Sequence, residues 1–436
     1  MPVDPTRTTP RALLARLFTL LAMMGLLLAG DAEAAGNAAD FHATVTQLTT
    51  GPKHHFFGYI GHVRTIPWNA SGRYIAALQT SFQDRMPKPE DAAEIILIDT
   101  QNGNAIEVIE RTHAWNIQQG TMLYWNPQQA ETQFFFNDRD PKTGKVFAVL
   151  YDIAKRQRVR EFRLERTPVG NSGVAHTGGW FCGINYGRLA RLRPVTGYPD
   201  AFDWTSGVKH PSDDGVFKIS ASTGEAHLLV SFQQLADALR PKHPAVDKHE
   251  LFINHTLWNR DGDRLFFFVR GGWLDTDPKD QKVNVPCVMN VDGSGLRELG
   301  HFIGGHPDWE LGHLMIGQRE GDQILYDTDR MDYAGTLGSQ EMIPNAGGDV
   351  ALSPDGKWFV NGSGVKGRND YTILRRSDGA WLRVQGLDQK GVTKGDLRSD
   401  PAPCWNRDST QILFASITDD AAKTRQLFVI KVTPGR

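Results

Sequence analysis

Charge of one sign, cysteine and long apolar runs are all scarce in this 436-residue chain. Its 48 basic residues stand against 50 acidic ones, a formal net charge of −2. No general field is left to gather a phosphate backbone, so no nucleic-acid partner is expected. Three cysteines cannot build a disulfide scaffold, and an odd number leaves at least one thiol unpaired. Past residue 29 no apolar stretch approaches the roughly 20 residues that cross a bilayer, so no membrane span is expected in the mature chain. Helical periodicity is rare as well, FQQLADALR (232–240) being the one convincing stretch. Disorder is excluded from the other side, because 40% of the residues are hydrophobic.

The first 34 residues read as an export signal. Arg7, Arg11 and Arg16 precede the apolar run LFTLLAMMGLLLA (17–29), and Ala32-Glu33-Ala34 supplies a small-x-small cleavage pattern. The apolar run is too short for a core about 30 Å thick, and no lipidation cysteine follows it. The expected organisation is a signal peptide over 1–34 and one domain over 35–436, periplasmic or secreted and monomeric.

The remainder is built from repeated strand pairs. A strand, a Gly/Asp turn and an apolar strand recur at 67–78, 123–136, 173–184, 257–269, 307–317, 352–362 and 404–416. Each is followed by a second strand with its own turn, at 95–104, 148–157, 216–225, 288–295, 324–329, 372–380 and 427–435. Seven first halves alternating with seven second halves predict an all-β, seven-bladed β-propeller, whose ring must close to remove its edges. The long gap between the third and fourth units holds the helical stretch, an insertion expected on a ligand-binding end.

Trp68, Trp125, Trp258, Trp309 and Trp405 share one register of the repeat and are expected to pack blades. Cys182 reads as a small core residue. The histidines are less easily assigned to packing. His54, His55, His62, His113, His176, His255, His306 and His313 precede first strands or sit in polar loops, where imidazoles from separate blades meet as a metal site or a general base. The densest polar run is NYGRLARLRPVTGY (185–198). Read as a strand, it presents Tyr186 and Arg188 on one face, and its guanidinium groups suit carboxylates. A local charge of +3 with no acid before Asp200 predicts an anionic ligand.

HHFFGY (54–59), PWNASGRY (67–74), HAWNIQQGTMLYW (113–125), NDR (137–139), NYGRLARLRPVTGY (185–198), NHTLWNRDGDRLFFFVR (254–270), SPDGKW (353–358) and DLRSDPAPCWNRDSTQI (396–412) together resemble the oligogalacturonate-lyase-like β-propellers. The similar ulvan lyases belong to the same structural circle of seven-bladed polysaccharide lyases. The resemblance runs from about residue 50 to 432.

That resemblance implies β-elimination on an acidic oligosaccharide: the uronate carboxylate is neutralised, a base removes the C5 proton and an acid protonates the departing O4. On the matching positions, Arg188 and Arg193 neutralise, His113 or His55 is the base, and Tyr186 or Tyr198 the proton donor. Gln119 and Asn137 orient the sugar. It also implies a divalent metal (Mn, Zn or Ca), with His255, His306 and Asp349 as the available ligands. The sequence departs from the pattern at Asp349 and at Ala402, where relatives tend to have His. The alternative is a non-catalytic periplasmic propeller that binds a glycan or protein. A propeller glycoside hydrolase would need two facing carboxylates about 5–10 Å apart, and no acidic pair stands outside the turns.

Overall fold

The computed structural model describes residues 40–58 and 65–434, apart from 275, 390, 391, 393, 394 and 419–422, together with the backbone of Ala35–Gly36. The expected export signal and His62 lie outside the described residues. Among the described residues no helix is long and apolar enough to cross a membrane.

The chain forms an all-β propeller. Its sheets are short up-and-down meanders whose first strand is innermost. The first blade is His54–Phe56, Tyr74–Thr80, Ala93–Asp99 and Ala105–Thr112. The second runs from Tyr124–Trp125 to Gln157–Phe162, the third from Gly170–Val174 to Ala226–Ser231, and the fourth from Phe252–Trp258 to Arg297–Glu298. Two further meanders, Gly304–Trp309 to Asp332–Thr336 and Asp349–Leu352 to Trp381–Val384, are joined into one nine-stranded sheet by a single parallel bridge, His306 to Asp349. Ala35–Gly36 adds a strand to its far edge. Seven separate blades were expected; the sheets are five of four strands and one of nine.

Closure is made by the ends of the chain. Phe41–Gln47 pairs antiparallel with Arg425–Pro434, in register from Phe41↔Pro434 to Gln47↔Phe428, and completes the last blade with Gln411–Ile417 and Cys404–Trp405. That blade then bonds to the first: the Arg425 amide donates to His54 Nδ1 at 3.0 Å. Among the described residues the strands at 41–47 and 425–434 thus cover each other's edges.

The blades are held by apolar faces in contact. Between the second and third blades, Phe135 lies 5.5 Å from Phe181, and Phe162 meets Phe181 edge-on at 5.0 Å. The repeated tryptophan adds a polar staple. Its indole N–H donates across the blade interface from Trp125 to Pro67 O (2.6 Å), from Trp309 to Leu257 O (2.7 Å) and from Trp405 to Ala351 O (3.1 Å). Each bond satisfies a buried donor that an apolar packing residue would not carry.

Two helices interrupt the repeat between the third and fourth inner strands. The expected helical stretch is α2 (Phe232–Leu239), opened by Ser231 and Gln234 in a reciprocal capping box. The run expected as a strand is instead α1 (Tyr186–Leu192), with Asn185 as N-cap and a 3₁₀ turn at Pro194–Thr196. Tyr186, Leu189 and Leu192 recur every third residue and bury one side of it. Gly187 permits the close approach that this needs, since a Cβ there would stand 2.2 Å from Phe202 O.

Candidate active site at the channel mouth

Counting back three residues from the blade tryptophan gives Thr65, Met122, His255, His306 and Ala402, and the matching position before the SPDGKW unit, which has Leu352 in place of the tryptophan, is Asp349. These residues lie in the inner strands or just before them, and the backbone is kinked at several of them. Met122, His255 and Ala402 have φ of 57°, 57° and 37°, and the pairing register slips between Asn254 and Leu257 and between Gly304 and Asp308. A bulge re-aims one side chain of an otherwise regular strand, and here the inner strands of neighbouring blades bring such side chains together.

Three of these side chains meet. The His255 and His306 rings are 5.7 Å apart between centroids. His306 Nδ1 is hydrogen-bonded to Asp349 Oδ1, and Asp349 Oδ2 accepts the Ala402 amide at 2.8 Å. Burial pushes the His306 pKa down, but the charge and hydrogen bond of Asp349 outweigh it, so the imidazole is held above its ordinary value. Asp400 lies next to this pair and bonds Arg398 at 2.7 Å. Its carboxyl is raised by burial and by the charge of Asp349, with Arg398 and His306 opposing. Arg425, inside the ring, donates to Ile117 O at 3.0 Å and lies over the Phe56 face; burial brings its pKa down to about 10.

A row of stacked groups runs outward from His255. Its ring meets Phe268 edge-on at 6.0 Å, and the Arg270 guanidinium lies 4.6 Å over the same phenyl. Arg270 also lies 4.7 Å from the Trp273 ring, as Arg193 does at 4.8 Å. Burial, and secondarily the charge of Arg193, lowers Arg270 to about 9. Arg193 is itself lowered by burial and by Arg398, against the pull of Asp396. Gln119 stands beside this row, its Nε2 3.5 Å from Asn254 Oδ1, a long contact.

The other expected site residues lie elsewhere. Arg188 is 1% exposed and committed to backbone: its guanidinium donates to Val208 O (3.0 Å), Lys209 O (2.8 Å) and Leu251 O (2.5 Å). Tyr186 and Tyr198 stack at 4.2 Å in the core. Tyr186 OH donates to Asn171 O, and Asn137 Nδ2 donates to Asn171 O and to Tyr198 OH. Burial raises the Tyr198 phenol far above its ordinary value. His55 is buried between Gln426 Oε1 (2.7 Å) and Gln79 Oε1 (2.9 Å), and burial lowers its pKa. His113 is half-buried at the link between the first two blades, where its amide donates to Asp138. Of the eleven expected positions, the structure gathers His255, His306, Asp349, Gln119 and Arg193 around the mouth. Tyr186, Arg188, Asn137, Tyr198 and His55 are built into the scaffold around it.

The donor set does not fit a resident divalent ion. Both Asp349 oxygens are already bonded, one to His306 Nδ1 and one to the Ala402 amide, Ala402 offers no side-chain donor, and the Cys404 thiol is pushed up to about 12 by burial. Among the described residues no group of three or more His, Cys, Asp or Glu is arranged to hold a metal. Arg270 and Trp273 were missed in the sequence. Their signal is a charged residue that ends the uninterrupted apolar strand LFFFV and is followed by Gly-Gly-Trp.

No family model matches this sequence, and no curated protein matches it. Solved structures do. An oligogalacturonate lyase from Vibrio parahaemolyticus superposes with a TM-score of 0.54 at 12% identity, covering 92% of this chain and 98% of that one. The β-propeller domain of the trilobed protease from Pyrococcus furiosus gives 0.45 at 11% identity, covering 87% and 97%. TolB from Acinetobacter baumannii gives 0.37 at 10% identity, covering 78% and 56%. The first of these likenesses supports the β-propeller fold, at an identity that carries no activity across.

Proposed function

We propose that this protein is an exported polysaccharide lyase that cleaves a uronate-containing oligosaccharide by β-elimination at the channel mouth. The observation that carries the reading is the imidazole pair 5.7 Å apart, one member polarised by Asp349 and the other sharing Phe268 with a guanidinium. Asp349 holds the His306 imidazole above its ordinary value, which suits it to give a proton, while the neighbouring His255 ring is placed to take one.

Arg270 binds the uronate carboxylate and stabilises the charge that grows on it as C5 loses its proton. His255 takes that proton, and the electron pair left on C5 forms the C4=C5 double bond. The C4–O4 bond breaks, and the His306 imidazolium gives its proton to O4. The proton gained at His255 and the one lost at His306 balance, and solvent exchange resets both. Such transfers contribute about 10²–10⁴-fold each. Gln119 orients the sugar. The nine-stranded sheet is read as two blades fused at one bridge, which makes the ring seven-bladed, and the residue 1–34 segment delivers the protein to the periplasm or beyond as a monomer. Membership of the oligogalacturonate-lyase-like propellers is part of this proposal.

The test is incubation of the mature protein with pectic, ulvan and glycosaminoglycan fragments, following the ultraviolet absorbance of the unsaturated product. Turnover that disappears in His255→Gln and His306→Gln supports the assignment. Binding of fragments without product supports the non-catalytic alternative.

A further inference from the structure

Trp273 carries three cations on one indole. Arg193, Arg270 and Lys282 lie 4.8, 4.7 and 4.8 Å from its ring. An indole has two faces, so at least two of these charges share one. All three are held within about 10 Å of one another, the distance over which salt at ordinary ionic strength screens charge. Among the described residues none of the three stands in an ion pair with a carboxylate. Arg270 makes one hydrogen bond, to Asn284 Oδ1 at 2.9 Å. Arg193 Nε is buried with no hydrogen-bond partner, while Asp396 and Arg398 act on that guanidinium only through their charges. Asp277, in the same loop, caps the Leu274 amide. The indole is fixed by its own bond to Val283 O at 2.9 Å.

Like charges crowded at a partly buried site raise the free energy of the protein by itself, and an anion relieves that cost. One carboxylate would neutralise only one of the three. We propose that the Trp273 cluster is a second anion subsite, which selects oligosaccharides carrying another oxyanion, a carboxylate or a sulfate ester, on the sugar next to the uronate held by Arg270. The inference rests on the mouth being a saccharide site, and it is independent of whether that site is catalytic. Guanidinium and ammonium groups on an aromatic face keep their donors free for such a ligand.

The decisive measurement is calorimetric binding of three oligosaccharides of equal length to the full mature chain. They are a contiguous oligouronate, a sulfated oligosaccharide with uronates at alternate positions, and its unsulfated counterpart. The first or second is expected to bind at least tenfold more tightly than the third, and whichever does identifies the second oxyanion. Lys282→Gln, at an exposed position, and Arg193→Gln, checked for folding by circular dichroism, are expected to abolish that preference and to flatten its salt dependence. Equal affinity for all three, or a preference that survives Lys282→Gln, overturns the proposal. Loss of the elimination reading would show differently, as no unsaturated product while the binding preference persists.

Discussion

His306 Nδ1 and Asp349 Oδ1 are hydrogen-bonded at the one parallel bridge that joins two meanders into a single sheet, and the second oxygen of the same carboxylate takes the Ala402 amide. One side chain thus links three inner strands and sets the charge of an imidazole at the mouth.

Asp349→Asn is expected to lower the His306 pKa. A histidine whose pKa is raised on folding contributes stability that is full below its unfolded value, about 6.5, and lost as pH climbs through the raised folded value. The variant should therefore be less stable than the parent by about 1–3 kcal/mol at mildly acidic pH, with the gap narrowing as pH rises. The alkaline limb of turnover, where the imidazolium is lost, should move to lower pH. Denaturant titrations at several pH values and NMR titration of His306 check both, and an unmoved His306 titration would refute the pairing.

Arg188→Ala should act on folding, not on ligand. Removing a buried guanidinium that serves the carbonyls of 208, 209 and 251, the last of them buried, is expected to cost about 3–5 kcal/mol. Affinity per folded molecule should be unchanged. A stable variant with weakened binding would return Arg188 to the site.

The inter-blade staple can be separated from the packing around it. Trp309→Phe keeps the ring but drops the bond to Leu257 O, for about 1 kcal/mol, whereas Trp309→Ala should cost about 3–5 kcal/mol through its cavity. Equal losses would mean that the hydrogen bond contributes nothing.

Asp308 lies 1% exposed inside the ring, accepting the Trp309 amide, and burial raises it to about 7 despite Arg260. An acid raised on folding binds more protons folded than unfolded between about pH 4 and 7, so its stabilising contribution fades as pH rises across that window. Asp308→Asn keeps the acceptor and removes the titration. The variant should gain on the parent by up to about 1.4 kcal/mol per pH unit there, read from thermal or denaturant midpoints. Parallel pH curves would contradict it.

The repeat was legible because the strand-turn-strand unit recurs along the chain and five of its seven copies carry the same tryptophan. What misled was 185–198. Arg188, Arg191 and Arg193 drew attention as charges, while Tyr186, Leu189 and Leu192 carried the helical spacing that decides where those charges point. Arg188 was turned into the core and only Arg193, one residue past the helix, reached the mouth. The His255–His306–Asp349 set was indicated by the family resemblance, and the structure brings the three together because equal offsets in successive blades converge. Arg270 and Trp273 were not indicated, since they meet Arg193 only through the insertion between the third and fourth blades, a contact no local pattern encodes.

The strand at 41–47 has no partner until the strand at 425–434 has been made. The ring therefore cannot close before the last strand exists. Loss of residues 425–434 would thus cost the fold twice, removing a strand of the last blade and leaving the first strand with a bare edge.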